Sequence, residues 1–247
     1  MTIANNTYVT DQPNFINSYL SEVEISDLSI HDITTQSRVI SSVDSRLNFS
    51  DSDITNIHTS TSSDFLSVSF QSIAVMNNIT FTNSTVELVV VLLSSLNMTD
   101  LHISNIISND YLFSYLDCNN IVMHDLVINQ FRSSRDSMVL LSESSVDSIN
   151  NFTISDSNVT GLHILKSNVT MMNEVMISNV RQSIDIQQSH IDMFYNSQLS
   201  HCGSQDIING GAMYMENSNM TMQNITFNSN TAQVGGAVSI NCDIYDS

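Results

Sequence analysis

The residues of this sequence best suited to chemistry are two aspartates with histidines close by. Asp100 and Asp125 are 25 residues apart, and His102 and His124 lie beside them. If the chain makes one coil about every 25 residues, the two carboxyl groups would lie about 5 Å apart, as in a retaining glycosidase. The equivalent position is an acid or an amide along the whole chain, so a structural corner is the simpler interpretation.

A catalytic set would also need a cationic group, and the cations of this chain are scattered. A lyase requires a basic residue to stabilise an enolate-like intermediate. The 6 Lys and Arg residues are Arg38, Arg46, Arg132, Arg135, Lys166 and Arg181. None of them forms a constellation with the acids, so we predict no catalytic residue. The glycine pairs of the sequence precede no phosphate-binding helix, and we predict no cofactor site.

Metal ligands are limited to one acidic row and three cysteines. Asp27 and Asp51 offer the hard oxygen atoms that Ca²⁺ prefers, without the spacing of an EF-hand or of an RTX repeat. Cys118, Cys202 and Cys242 have no paired or metal-like spacing, and an odd number cannot pair completely within the chain. We predict no metal centre and interpret the cysteines as structural free thiols. Calcium binding along the acidic row is left open as an alternative.

Composition and charge narrow the class of protein. Hydrophobic residues make up 41% of the 247 residues and are spread evenly, which favours a folded chain over a disordered one. A formal net charge of −19 would repel a phosphate backbone, so we expect no nucleic acid partner. The most apolar run, residues 86–93, contains Glu87 and is far shorter than the ~20 residues that span a bilayer. We interpret it as a buried strand, so a membrane contact would need segments outside this sequence.

An internal repeat supplies the framework that must position these residues. The string at residues 220–227, Met-Thr-Met-Gln-Asn-Ile-Thr-Phe, returns nearly unchanged at residues 74–81 and keeps its chemistry at residues 96–103. Weaker copies complete a series with an average spacing of about 25 residues. The residue equivalent to Ile225 is taken as the anchor of each copy. The anchors are Leu28, Ser52, Ile79, Leu101, Leu126, Phe152, Val175, Ser197 and Ile225.

Each anchor is followed two residues later by a large apolar side chain, which places both residues on one face of a strand. These partners are Ile30, Ile54, Phe81, Ile103, Ile128, Ile154, Ile177, Leu199 and Phe227. Coils one, two and eight, which include the serine anchors Ser52 and Ser197, are where we expect the alignment to fail.

Two polar rows flank the anchors. The residues directly before them all carry a carboxylate or an amide: Asp27, Asp51, Asn78, Asp100, Asp125, Asn151, Glu174, Asn196 and Asn224. The residues four positions after them are Asp32, Asn56, Asn83, Asn105, Gln130, Asp156, Asn179, His201 and Ser229. Short polar side chains bond their own backbone at corners, and stacked amides bond one another along the axis of a solenoid. We therefore predict turn and ladder positions at both rows.

A second apolar strand follows in each copy. These strands are predicted at residues 65–68, 86–91, 112–116, 138–141, 162–165, 184–186, 212–215 and 237–240. The one proline, Pro13, and the absence of capped helix-period patterns disfavour a helical solenoid. The fold class predicted is all-β, a right-handed parallel β-helix of about nine coils of about 25 residues, stacked at about 4.8 Å into a rod about 43 Å long.

The last two copies carry a more specific motif, a glycine pair followed by alanine and an aliphatic residue. In the final copy this string follows F-x-x-N. The motif residues are Phe227, Asn230, Gly210, Gly211, Ala212, Gly235, Gly236 and Ala237. The pattern resembles the polymorphic membrane protein repeat, which builds right-handed parallel β-helices in chlamydial surface autotransporters and has counterparts in protist surface proteins. The resemblance implies an exposed, adhesive or structural role.

From this resemblance we expect a non-catalytic scaffold at the cell surface or outside the cell, adhesin-like or structural, whose partner is a surface protein or a glycan. The alternative is a polysaccharide-active hydrolase or lyase, because pectin lyase-like enzymes use the same coil. Residues 1–20 are interpreted as a segment that folds over the N-terminal end, and residues 21–247 as the repeat domain. We expect the rod to continue past residue 247 and to associate end to end, because an open end exposes unpaired backbone.

Overall fold

Parallel pairing of short strands dominates the computed structural model, which describes residues 2–8, 16–35, 38–59, 64–135, 137–204 and 206–242. Within these ranges the elements are strands, and they coil into a right-handed parallel β-helix of about nine turns that are roughly 24 residues apart. The fold class predicted from the repeat is confirmed.

The strands have the following bounds in chain order. They are β1 (Thr2–Tyr8), β2 (Ile16–Tyr19), β3 (Glu22–Ser26), β4 (Ser29–Thr35), β5 (Ile40–Val43), β6 (Arg46–Thr59), β7 (Asp64–Ser69), β8 (Ile73–Thr85), β9 (Glu87–Leu92), β10 (Ser95–Ser108), β11 (Phe113–Leu116), β12 (Ile121–Ser133), β13 (Ser137–Ser142), β14 (Ser145–Ser155), β15 (Thr160–Leu165), β16 (Asn168–Ser178), β17 (Gln182–Gln187), β18 (His190–Ser200), β19 (Met213–Glu216), β20 (Asn219–Asn228) and β21 (Val238–Asn241).

Long and short strands alternate along the chain and belong to two different sheets. In the described ranges the first sheet, which contains the anchors from Ser52 to Ile225, has 11 strands. Their order is β1, β4, β6, β8 and so on through the even-numbered strands to β20, with β3 also paired to β6. The second sheet has 10 strands, β2, β5 and then the odd-numbered strands from β7 to β21. The predicted second strands therefore exist. Two earlier members, β2 and β5, were not predicted.

The register of the first sheet stacks the anchors as the repeat predicts. Leu101 faces Ile79 on one side and Leu126 on the other, and Ile103 faces Phe81 and Ile128. Ser197, at a copy where failure was expected, pairs with Ile225. The anchor of this copy is therefore aligned, although the same two strands shift register between Ile191 and Phe194.

Two serine anchors are accommodated through their hydroxyl groups. Ser52 Oγ accepts a hydrogen bond from the Leu28 backbone N–H at 3.3 Å and donates to the Ser50 carbonyl at 2.7 Å. Likewise, Ser197 Oγ accepts a hydrogen bond from the Val175 N–H at 2.9 Å and donates to a carbonyl of its own strand at 2.8 Å. A buried hydroxyl whose donor and acceptor are both satisfied costs little, so these anchors keep the register of their apolar neighbours.

Both polar rows are corners where the backbone turns through the left-handed region. All nine residues before the anchors have φ between 48° and 55°, and all nine residues four positions after the anchors have φ between 51° and 57°. Asn and Asp tolerate this region better than other side chains. Their recurrence in the sequence therefore reflects the backbone conformation that each coil needs twice.

A third corner lies between the second sheet and the start of the next long strand. Its residues also have positive φ, but they share no side-chain type: Leu20, Asp44, Gln71, Leu93, Asp117, Glu143, Lys166, Gln188 and Asn217. The residue after each of them in coils two to nine is a serine or Cys118. This row was not predicted.

The serine row is a column of hydrogen bonds parallel to the axis. Ser144 Oγ accepts from the Cys118 N–H at 3.1 Å, Ser167 Oγ from the Ser144 N–H at 3.0 Å, and Ser189 Oγ from the Ser167 N–H at 3.0 Å. The hydroxyl of Ser144 also donates to the carbonyl of Ser142 at 2.8 Å. The column therefore satisfies the buried backbone N–H groups that the corner takes out of the sheets.

Apolar side chains from both sheets fill the interior of the coil. Phe65 lies between Phe49 and Phe81, with ring centroids 6.5 and 5.1 Å apart. Tyr115 is fully buried and its hydroxyl lies 3.5 Å from Met98 Sδ. Burial raises the pKa of Tyr115 well above its ordinary value. These buried side chains form one continuous cluster along the described coils.

The first 20 residues contribute strands to both sheets. β1 pairs with β4, and β2 pairs with β5, each in parallel. Phe15, one of the side chains on which the interpretation as an end cover depends, lies outside the described residues. That interpretation stays a prediction.

Candidate functional site

The two aspartates singled out in the sequence lie at equivalent left-handed corners of adjacent coils, as their spacing predicts. Asp125 Oδ1 accepts a hydrogen bond from Asn151 Nδ2 at 2.7 Å. The neighbouring histidines turn to different partners: His102 Nε2 lies 3.3 Å from Asp100 Oδ1, and His124 Nε2 lies 2.9 Å from a serine hydroxyl of the next coil. His102 thus pairs with Asp100 in its own coil, whereas Asp125 and His124 bond to side chains of the next coil.

Hydrogen bonds of this kind, from an asparagine amide to a carboxylate or amide oxygen of the preceding coil, recur along both polar rows. The donors and acceptors, with their distances, are Asn56 to Asp32 (2.9 Å), Asn78 to Asp51 (2.7 Å), Asn105 to Asn83 (2.7 Å), Asn151 to Asp125 (2.7 Å), Asn179 to Asp156 (3.0 Å) and Asn224 to Asn196 (2.8 Å). Bonds between successive coils tie the corners together along the axis. The rows therefore act as ladders.

The acidic row offers no assembled metal site in the part of the chain that is described. Asp51 Oδ1 is engaged by the amide of Asn78, which occupies the equivalent corner one coil later. No three side chains among the described His, Cys, Asp and Glu lie together so that they could hold a metal ion. Calcium binding at this row stays an untested alternative.

The glycine motif lets two coils approach along their backbones. Gly210 has φ 55°, and a Cβ there would lie 2.0 Å from the Met213 carbonyl oxygen. The N–H of Gly211 donates to Gly236 at 3.1 Å and the N–H of Ala212 donates to Ala237 at 2.9 Å. The first motif is therefore bonded in register to the second.

The F-x-x-N string of the final coil contributes a corner clasp. Asn230 Nδ2 donates to the Leu199 carbonyl and its Oδ1 accepts from the Cys202 N–H, both at 2.9 Å. Phe227 stacks on Leu199 in register. In this structure the motif residues take part in chain packing.

The three cysteines divide by exposure. Cys118 and Cys202 are buried and Cys242 is exposed, each as a free thiol. Burial raises the pKa of both buried thiols. Cys118 Sγ donates to the Leu116 carbonyl at 3.2 Å, as the serines of its column do, so we interpret it as a structural replacement for serine.

A cleft on the outer face of the second sheet holds a cluster of ionisable groups that the sequence analysis missed. The register places His163 of β15 beside Asp185 of β17, and Asp185 beside Tyr214 of β19. His163 Nε2 lies 3.8 Å from Asp185 Oδ2. These residues are more than 20 positions apart in the sequence, so only the stacking of coils brings them together.

Burial sets the electrostatics of this cleft. It raises the pKa of Asp185, while the nearby imidazole of His163 and a hydrogen bond from Gln187 work in the opposite direction. Gln187 Nε2 lies 3.2 and 3.1 Å from the two carboxyl oxygens. Asp185 is therefore readier to hold a proton than an exposed aspartate.

Polar groups line the cleft, and two of their buried atoms make no hydrogen bond to a described residue. Its volume is about 340 Å³. Ser137, whose side chain is 1% exposed, and His163 each contribute a buried atom, Oγ and Nε2 respectively, that makes no hydrogen bond to a described residue. Gln182 Nε2 donates to the carbonyls of residues 209 and 210 at 3.1 and 2.8 Å, which fixes the loop that forms one wall. Such a cleft can accept hydrogen-bonding groups of a ligand.

Comparison with models of protein families, with curated proteins and with solved structures found no match to this chain. The described residues include no helix long and apolar enough to cross a membrane.

Proposed function

We propose that the chain is a non-catalytic scaffold, exposed on a cell surface or secreted, that presents its outer columns of side chains to a partner in the manner of an adhesin. The observation that supports this is the uninterrupted packing of the interior, from Leu28 in the first anchor coil to Met215 in β19. Stacked coils with a packed interior present an outer surface to ligands, and each added coil extends that surface.

The motif of the last two coils supports the same proposal at a finer level. Gly210 and Gly235 adopt the left-handed conformation that a glycine pair permits, and the two motifs bond to one another. We propose that these coils are repeats of the polymorphic membrane protein type. A net charge of −19 suits an exposed protein that must stay soluble.

Bead adhesion tests the scaffold proposal. The purified chain is coupled to fluorescent beads through the exposed thiol of Cys242, and the beads are washed over cultured cell layers, matrix proteins and immobilised glycans. We expect retention on at least one defined surface above that of beads carrying serum albumin, which is also acidic. Retention equal to the albumin control on every surface would contradict an adhesive role.

The cleft at His163 and Asp185 favours one second candidate, a polysaccharide-active hydrolase or lyase. A carboxyl group whose pKa is raised by burial can act as a general acid toward a glycosidic oxygen, and the imidazole of His163 lies 3.8 Å from it. Release of reducing ends or unsaturated products from a panel of acidic and neutral glycans tests this. Turnover that Asp185→Asn abolishes would establish the enzyme and overturn the scaffold proposal, and Asp125→Asn is the matched change at a ladder corner.

A further inference from the structure

Three positions of the third corner carry large apolar side chains that point into solvent. Leu20, Phe70 and Leu93 are 68%, 57% and 52% exposed, and their φ angles are 48°, 55° and 51°. The backbone N–H groups of Leu20, Phe70 and Leu93 each donate to the carbonyl of the residue that precedes the third corner in the following coil. The three residues therefore lie in one column along the axis.

This arrangement is unfavourable for folding in two ways. The left-handed conformation costs a residue other than Gly, Asn or Asp roughly 1–2 kcal/mol. An exposed apolar side chain also lacks the stabilisation that burial would give it. The same corner in later coils carries Asp117, Glu143 or Lys166, so the fold does not require an apolar residue there.

The corner that carries Phe70 is also one residue longer than its neighbours. Between the strand end and the column serine it has Phe70 and Gln71, both with positive φ, where the adjacent coils have only Asp44 or Leu93. Ser72 Oγ consequently donates to a carbonyl three residues back, whereas Ser94 Oγ donates two residues back.

A groove of about 460 Å³ runs along this column, lined by Asp44, Phe70, Gln71, Leu93, Asp117 and Asn119. Carboxylates thus stand between and beside the apolar groups, and no Lys or Arg is among the lining residues. From Leu20 to Asp117 the column covers four strand spacings, about 19 Å, which is the length of an extended peptide of about six residues.

We propose that this apolar corner, the column from Leu20 to Asp117, binds an extended segment of a partner protein that presents apolar side chains flanked by Lys or Arg. The proposal rests on the scaffold function and names its partner. Apolar side chains of the segment cover Phe70 and Leu93, and its cations meet Asp44 and Asp117. A second copy of this chain, with its net charge of −19, and an anionic membrane both fail the charge requirement.

Calorimetric titration of the full chain tests the proposal. The probe is an acetylated and amidated seven-residue peptide of alternating Lys and Leu, and the control peptide has Glu in place of Lys. We expect the Lys peptide alone to bind, with an affinity that falls as salt is added. Binding to Phe70→Asn/Leu93→Asn should be weaker by at least about tenfold.

The same double variant separates a binding role from a structural one. Asparagine suits the left-handed conformation, so the melting temperature should stay the same or rise while the affinity falls. Met176→Asn is the matched control, because Met176 is 47% exposed but lies on β16, outside this corner. This change should leave the affinity unchanged. Asp44→Asn/Asp117→Asn should weaken binding and remove its salt dependence.

Four results would overturn the proposal: equal affinity in the Phe70→Asn/Leu93→Asn variant, equal binding of the Glu peptide, a lower melting temperature of that variant, or binding of phosphatidylcholine vesicles in place of the Lys peptide. Beads that adhere although the peptide does not bind would reject this corner and leave the scaffold function standing. Peptide binding with no bead retention on any surface would keep this corner as a binding site and reject the adhesive scaffold function.

Discussion

At the scale of single residues, positive φ explains most of the sequence pattern. The two rows of Asn and Asp mark corners, and their types followed from the sequence because short polar side chains suit that conformation. The third corner could not be recognised in this way, since Leu93, Asp117 and Lys166 have no chemistry in common. There the neighbouring serine column stabilises the turn, and serine is too frequent in this chain to stand out.

Gly210 offers a test of the conformational argument. We predict that Gly210→Ala lowers the free energy of unfolding by at least about 2 kcal/mol, because the φ is positive and the new Cβ would overlap the backbone of Met213. Gly236→Ala is the control, since its Cβ would meet nothing closer than the Asn230 carbonyl at 3.4 Å, and it should change stability by less than about 0.5 kcal/mol. Urea denaturation measures both, and equal losses would refute the assignment.

Two aspartates with opposite pKa shifts give opposite pH dependence. Burial raises the pKa of Asp185 above its ordinary value of 3.8, so its stabilising effect is present below that pH and is lost as the pH rises through the folded-state pKa. We predict that Asp185→Asn raises the melting temperature at neutral pH and that this gain disappears at about pH 3.

Asp32 serves as the comparison. A hydrogen bond from Asn56 lowers its pKa, so its contribution is present above the ordinary value and is lost as the pH falls through the folded-state pKa. Asp32→Asn should therefore lower the melting temperature at neutral pH and have no effect in acid. Melting curves by circular dichroism at neutral pH and at about pH 3 test the predicted shifts in melting temperature for both variants. A gain for Asp32→Asn, or a loss for Asp185→Asn, at neutral pH would show that the signs are wrong.

At the scale of elements, the serine column is the part of each coil that holds a corner against its neighbour. We predict that Ser144→Ala costs about 1–3 kcal/mol, because it leaves the buried N–H of Cys118 without its acceptor. Ser144→Cys should cost less, since a thiol already occupies this column in the preceding coil. Chemical denaturation compares the free energies of unfolding of the two variants. An alanine variant as stable as the parent would show that the serine column does not stabilise the corner.

The sequence predicted the elements better than it predicted the surface between them. The anchor Leu101 and its partner Ile103 reveal their strand because they alternate within one copy. The pairing of His163 with Asp185 depends on a register between two copies that lack any shared residue type at that position. A site assembled by stacking therefore becomes visible only when the outward positions of successive coils are compared.

At the scale of the whole molecule, the described chain finishes on two strands whose outer edges pair with no described strand. Ile225, Phe227 and Val238 are only partly buried there, and Ile240 is 60% exposed. We predict that this 247-residue chain associates end to end through β20 and β21, so that its mass by light scattering rises with concentration. Ile240→Lys should reduce the association. A strict monomer at high concentration, with residues 238–241 protected from hydrogen exchange, would contradict it.

Each of these inferences depends on the stacking register of adjacent coils, and thiol cross-linking measures that register most directly. In the sheet Thr80 pairs with His102, and His102 pairs with Val127. With Cys242 replaced by serine, dibromobimane, which becomes fluorescent only when two nearby thiols have reacted, should label His102→Cys/Val127→Cys. It should not label Thr80→Cys/Val127→Cys, whose sites lie two strand spacings or about 9.6 Å apart. Fluorescence from the second pair and none from the first would contradict the structure and every inference drawn from it.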